Sequence, residues 1–322
     1  MQYEFLVTGG AGFIGSSIVE KLINLGHKVT ILDDLSSGNL RNINSIINHS
    51  NLRFVQGDIR SFQGCLEVSK GVDYIIHQAA LVSVPRSIEE PLLNNEKNID
   101  GFLNILEAAR INKVKRVVYA SSSAIYGDNL DEIKTEERLG KTISPYALSK
   151  YVDELYASLY TRVYGLETVG LRYFNVYGPK QDPSSVYSGV ISIFFDRLRN
   201  NLDLNIFGDG SVTRDFVYVE DVAAANISAC LSKKGKVGEV YNIGTSLSTC
   251  IKTLAETIIK VVNSDCKINY LSERAGDIKY SCANISRARN DLEFRPKVKL
   301  EEGLKIIYKS FLKWNNIVGG LR

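Results

Sequence analysis

The segment Ser144-Pro145-Tyr146-Ala147-Leu148-Ser149-Lys150 carries the side chains best suited to moving a proton. Serine followed by proline reads as a helix start, with Ser144 as N-cap and Pro145 at the first helical position. Tyr146 and Lys150 are then i and i+4 and project from one face. A free tyrosine titrates near a pH of about 10 and is a poor base in neutral water. A nearby ammonium favours the phenolate. Such a tyrosine can take a proton from a hydroxyl whose carbon gives up a hydride. YxxxK alone is common in a chain with 17 tyrosines, and its bland alternative is an exposed helix face. Here it follows an apolar run ending in Ser121-Ser122-Ser123, whose hydroxyls can share the reacting oxygen and relay the proton.

A departing hydride needs an acceptor, and the N-terminus offers a place for one. Thr8-Gly9-Gly10-Ala11-Gly12-Phe13-Ile14-Gly15 follows the first apolar run and opens an amphipathic stretch. Gly9, Gly12 and Gly15 allow a tight turn, approach of backbone to a pyrophosphate and close packing of helix on strand. The helix start presents N–H groups to the anion. The second strand ends at Asp33-Asp34, near the spacing expected of an acidic ribose partner. A carboxylate at Asp33 accepts from both ribose hydroxyls and repels a 2′-phosphate, which favours NAD over NADP; the alternative is an ordinary turn aspartate. Gly57-Asp58-Ile59 ends the next strand, within reach of the adenine edge, and His77-Gln78-Ala79-Ala80 ends the fourth, where small residues leave room. The cofactor set is thus Gly9, Gly12, Phe13, Ile14, Gly15, Asp33, Asp34, Asp58, Ile59, Gln78, Ala79 and Ala80.

The elements that must position these residues alternate. Phe5–Val7, Val29–Leu32, Asp73–Ile76, Val117–Ala120 and Leu166–Tyr173 read as buried parallel strands. Phe13–Leu25, Glu96–Ile111 and Ser144–Tyr164 carry apolar residues at helical spacing. Parallel strands need helical crossovers, so the fold class is α/β, a doubly wound parallel sheet with a smaller C-terminal domain. The turn-rich run from Gly178 to Ser185 leaves the sheet, while Val217–Val219 and Val240–Ile243 return to strand. The expected division is 1–174 for the dinucleotide, with returns around 216–243, and 175–322 for the substrate. From Ser246 the chain reads as mostly helical, with a loop around Arg274–Asp277.

Bulk properties exclude several classes. A net charge of +3 without a dense basic run argues against nucleic acid. No apolar stretch approaches the roughly 18–20 residues that span a bilayer, and the N-terminus lacks a signal-peptide pattern. The five scattered cysteines read as free thiols in a reducing cytoplasm, and the three separated histidines do not form a metal site.

Together TGGAGFIG, SSSAIYG, YALSK, LRYFNVYGP and RDFVYVEDV resemble, over essentially the whole chain, the extended short-chain dehydrogenases that act on nucleotide sugars. The sequence is most similar to the bacterial UDP-N-acetylglucosamine 4-epimerases, which keep NAD bound and invert C4 through a 4-keto sugar. The resemblance implies that Ser122 is the catalytic serine beside Tyr146 and Lys150. It implies that Ser123 touches the sugar, that Asn175, Arg214, Arg274 and Asp277 hold the nucleotide diphosphate and its ribose, and that Ser83 and Val190 also bind the substrate. Asn98 and Tyr173 match positions near the nicotinamide, with a structural alternative for Asn98; Arg214 has a local ion pair with Asp215 as its alternative. Ser281 falls where the family has a gate residue, and a serine there admits a 2-acetamido group. A one-residue slip onto Tyr280 reverses that inference. Related dehydratases and decarboxylases carry an acid just after the serine, whereas this chain has Ser123-Ala124. A homodimer is also implied by the resemblance. The competing readings are a UDP-uronate 4-epimerase or decarboxylase, for which Arg86 could meet a 6-carboxylate, and a non-catalytic NAD-binding regulator.

Overall fold

The computed structural model describes residues 1–181, 189–273 and 278–319. Its centre is a seven-stranded sheet: β1 (Glu4–Thr8), β2 (Lys28–Asp33), β3 (Leu52–Gln56), β4 (Tyr74–His77), β5 (Arg116–Ser122), β6 (Glu167–Tyr173) and β7 (Glu239–Ile243). All pairings are parallel, in the spatial order β3-β2-β1-β4-β5-β6-β7. The chain reverses its direction of travel across the sheet between β1 and β4. That switch point opens a crevice at the carboxyl ends of the strands.

The helices that flank the sheet are α1 (Phe13–Asn24), α2 (Gly101–Ile111), α3 (Pro145–Tyr164) and α5 (Val219–Leu231), with α4 (Val190–Arg199), α6 (Ile251–Val262) and α7 (Leu300–Gly319) away from it. Ser144 caps α3 as its type predicts, accepting from the Ala147 N–H at 3.1 Å, and Gly165 ends it at φ +71°. Two elements differ from the sequence reading. The strand expected at Val217–Val219 is Phe216–Tyr218, and Val219 opens α5, whose first turn carries Glu220 and Asp221. Those acids suit a helix N-terminus. The helix expected at Glu96–Ile111 begins instead as Pro91–Asn95, passes a π turn at Glu96–Asp100 and continues as α2. Gly101 permits the join, because a Cβ there would sit 2.6 Å from the Ile59 side chain.

One hydrophobic core, including Phe5, Val7, Ile18, Val118 and Val222, packs α1 and α5 on one side of the sheet. A second, including Leu6, Ile75, Phe102, Val117 and Tyr119, packs α2 and α3 on the other. A third is built from residues outside the seven strands, such as Phe194, Leu204, Tyr218, Leu254 and Leu304, and Phe13 and Ile14 at the start of α1 lean on it. The loop between β1 and α1 is therefore held by two cores at once. Among the described residues no helix is long and apolar enough to cross a membrane, and no group of three metal-ligating side chains converges.

Candidate active site

A cavity of about 410 Å³ runs along the carboxyl ends of β1 to β6. Of the residues assigned to the dinucleotide, Gly9, Gly12, Phe13, Ile14, Gly15, Asp33, Asp34, Asp58, Ile59, Gln78, Ala79, Ala80 and Tyr173 line it. Gly9 sits at φ +68°, and a Cβ there would fall 2.7 Å from the Ala79 nitrogen. Side chains are thereby excluded from the floor. The N-cap of α1 is Gly12, with no side-chain cap and no acid in the first turn, so the helix N-terminus faces the cavity without an internal anion. This cradle fits a dinucleotide pyrophosphate.

The two adjacent carboxylates are used differently. Asp33, 6% exposed, accepts from the Ala11 and Leu35 N–H groups, both at 2.9 Å. Burial pushes its carboxyl up against the pull of those two N–H groups. Asp34 accepts from Ser36 and pairs with the Lys97 ammonium at 3.1 Å. Despite partial burial, these donors hold it below the usual carboxylate range. At the end of β3, Asp58 is held low by the Arg60 guanidinium.

α3 carries Tyr146, 8% exposed, and Lys150, 1% exposed, into the same cavity, where Ser122 joins them from the end of β5. The Tyr146 N–H donates to Ser87 Oγ at 3.1 Å, and Ser87 in turn donates to the Val84 carbonyl at 2.7 Å. Asn94 Nδ2 donates to the Pro145 carbonyl at 3.2 Å. The first turn of α3 is thus fastened to the chain after β4. Ser122 caps the short turn Ser123–Tyr126, accepting from the Ala124 N–H at 3.1 Å. Behind it, Ser121 Oγ donates to Glu154 at 2.6 Å, and Arg172 pairs with both Glu154 oxygens at 2.8 and 2.7 Å. Arg172 also reaches the Tyr126 hydroxyl at 3.1 Å, which donates to Asn242 Oδ1 at 2.6 Å. This buried chain of bonds ties α3 to β5, β6 and β7.

The remaining assigned residues sort by position. Tyr173 lines the cavity with its ring, while its hydroxyl engages Gln78 and Asn226. Asn98 does not line it: its amide clamps both backbone groups of Leu81 at 2.7 and 3.0 Å and reaches Ser149 Oγ at 3.1 Å. It is fully buried behind the site. Asn175 lines the cavity, and Val190 is the first residue of α4, directly after the lining Gly189. Arg214 lies off the lining and donates to the Thr213 and Ile278 carbonyls. Asp215 turns its carboxylate to the N–H groups of Thr245, Ser246 and Ala283. Ser83 spends its Oγ as N-cap of the Val84–Glu89 helix. Ser123 and Ser281 are half-buried outside the lining, and Arg274 and Asp277 lie outside the described residues. Arg86 is exposed, pairs with Glu90 and is not one of the residues that line the cavity.

Sequence reasoning missed the positioning roles of Ser87, Asn94, Lys97, Glu154 and Arg172. Their partners are distant in sequence, so no local pattern announces them; only Glu154, i+4 from Lys150, carried a periodic signal.

Residues 5–244 match the model of the NAD dependent epimerase/dehydratase family. The chain is 42% identical over 313 residues to a putative UDP-glucose 4-epimerase of Methanocaldococcus jannaschii, covering 97% of this chain and 99% of that protein. It superposes with a TM-score of 0.93 on a UDP-N-acetylglucosamine 4-epimerase from Methanobrevibacter ruminantium in complex with UDP-N-acetylmuramic acid. That relative is 42% identical, with 97% of this chain and 99% of the other covered. A UDP-glucose 4-epimerase from Thermotoga maritima with UDP-glucose gives a TM-score of 0.90 at 39% identity, covering 97% and 99%.

Proposed function

The chain belongs to the NAD-dependent epimerase/dehydratase family, and within it we propose that the protein is a UDP-N-acetylglucosamine 4-epimerase, interconverting that sugar and its C4 epimer. The observation that carries the reaction type is the lining of the cavity. Tyr146, Lys150 and Ser122 share it with the dinucleotide cradle, and its carboxylates among the described residues are Asp33, Asp34 and Asp58, all at the adenosine end. Among the described residues of the lining no acid stands beside Tyr146 to drive elimination or decarboxylation, so the keto sugar is simply reduced back.

In this mechanism the Tyr146 phenolate takes the 4-hydroxyl proton and later returns it. Ser122 hydrogen-bonds the same oxygen and steadies it. Lys150, buried one helical turn from Tyr146 in the same cavity, holds the ribose side of the cofactor. Bound NAD supplies reversible hydride acceptance at C4. Inversion requires the keto sugar to present its other face, so the nucleotide must be held elsewhere. Asn175, Arg214 and the sequence-assigned Arg274 and Asp277 take that part, since Arg suits bidentate phosphate contacts. Residues 1–174, with returns around 216–243, hold the dinucleotide, and 175–322 mainly hold the UDP-sugar. The acetamido preference is supported by Ser281 at the gate position and by the similarity to the Methanobrevibacter enzyme. Apolar side chains exposed along α3, Leu148, Leu155, Leu159 and Val163, support a homodimer through that helix.

The test is turnover without added NAD, with UDP-N-acetylglucosamine, UDP-glucose and UDP-glucuronate offered separately and C4 inversion followed by proton NMR. Fastest conversion of the acetamido sugar is expected. Preference for UDP-glucose would reject the gate at Ser281, and preference for UDP-glucuronate would favour the uronate reading. No turnover, even with NAD supplied, would reject epimerisation.

A further inference from the structure

We propose that Asp153 is a positioning residue for the reaction: its buried carboxylate, set back from the cavity, fixes where the Lys150 ammonium stands relative to Tyr146. The inference rests on the reading that Tyr146 and Lys150 handle the proton.

Asp153 lies i+3 from Lys150 on α3, with Oδ2 3.2 Å from Nζ. Both residues are 1% exposed. Among the described residues Asp153 is the ammonium's one hydrogen-bonding partner. A charge taken out of water this completely is held in place by its counter-ion, and removing the counter-ion frees or displaces it. Glu154, the next residue, cannot serve, because Ser121 and Arg172 occupy its oxygens. Two buried ion pairs therefore stand side by side, and each cation has its own carboxylate.

What Asp153 lacks is as informative. Asp215, also buried, accepts from three backbone N–H groups and the Thr245 hydroxyl, the pattern of a carboxylate that holds loops together. Asp153 accepts from Lys150 alone, and its Oδ1 has no partner. Aspartate is also a poor helix-interior residue. Neither backbone architecture nor helix propensity accounts for it; contact with Lys150 does.

The titratable groups acting on the pair are His77 from β4, Tyr119 from β5 and Glu154 from α3 itself. Burial, with Lys150 adding to it, drives the His77 imidazole down to about 3, and burial drives the Tyr119 phenol well up. Both are neutral across the working range. Burial pushes the Asp153 carboxyl up to about 7 while Lys150 opposes the shift. The grip on Lys150 accordingly strengthens as pH rises through neutrality.

The experiment compares wild type, Asp153→Asn and Asp153→Glu in the NMR assay across pH, using whichever UDP-sugar is turned over. At about pH 8 the Asn variant should lose about tenfold in kcat, with the acid-side inflection near neutrality gone. Its KM for the UDP-sugar should stay within about twofold, because Asp153 does not reach the cavity. Glu should restore most of the rate. Wild-type kcat in Asp153→Asn overturns the proposal, as does a loss by the same factor at every pH with the inflection kept. Should that variant not fold, infrared spectra of wild type and Lys150→Met follow the C=O band of protonated carboxyls. One titration near neutrality should move to higher pH in Lys150→Met, and no movement overturns the proposal. The infrared result does not depend on turnover. A coupled titration in a protein that inverts no UDP-sugar supports the pair and rejects the epimerase reading.

Discussion

Asp33 and Asp34 are neighbours of identical type, yet their surroundings give them separate tasks. Asp34 is tied down by Ser36 and Lys97, whereas Asp33 stands buried at the cavity with only two backbone donors. Replacing Asp33 by Ala should therefore weaken NAD retention by about 10- to 100-fold, read as bound NAD per chain after gel filtration, through loss of charge-assisted bonds. Tyr146→Phe should lower kcat by about 10²–10⁴-fold while leaving bound NAD unchanged, since it deletes the proposed proton carrier and little else. Asp153 makes a claim on stability as well. A carboxyl raised in the folded state binds its proton more tightly there than in the unfolded chain. The stability it contributes is full below the unfolded value of about 4 and is lost as pH rises through about 7. The Tm of wild type should fall relative to Asp153→Asn over that window, measured by scanning fluorimetry in a pH series.

At the scale of elements, helix α3 is held at two places for different reasons. Its first turn hangs on Ser87 and Asn94, which set the height of Tyr146. Its middle is locked by Glu154 to Arg172 on β6 and Ser121 on β5. Breaking that buried pair from one side leaves an uncompensated charge. Glu154→Ala should destabilise the protein by about 3–5 kcal/mol in urea unfolding, more than a joint replacement of Glu154 and Arg172 by apolar residues. The π turn at Glu96–Asp100 works similarly for the other end of the site. Placed within an otherwise regular helix, it turns Lys97 toward Asp34 and Asn98 toward Leu81.

For the whole molecule, the crevice exists because the strand order reverses at β1 and β4, and because the third core presses on Phe13 and Ile14 at one wall. Residues from both halves of the chain can then meet across one cavity. The same compactness leaves a stripe on α3, with Leu148, Leu155 and Leu159 respectively 49%, 54% and 39% exposed. If that stripe is the subunit contact, Leu155→Glu should convert a dimer to a monomer in sedimentation velocity, and a monomeric wild type would reject the interface.

By itself the sequence determined the sheet, the glycine turn and the Tyr146–Lys150 face. Each is local: buried parallel strands must be apolar runs, a backbone that meets a pyrophosphate must lack Cβ atoms, and i, i+4 residues share a helix face. The helix at Val219–Leu231 escaped notice because the apolar run of Phe216–Tyr218 continues straight into it. Tertiary structure alone decided that Ser87 would carry Tyr146 from 59 residues away, and that Asn98 would clamp Leu81 behind the cavity. It also decided which carboxylate answers which cation, Glu154 for Arg172 and Asp153 for Lys150. Spacing along a helix brings both acids near Lys150; only burial and the packing of β5 and β6 against α3 choose between them.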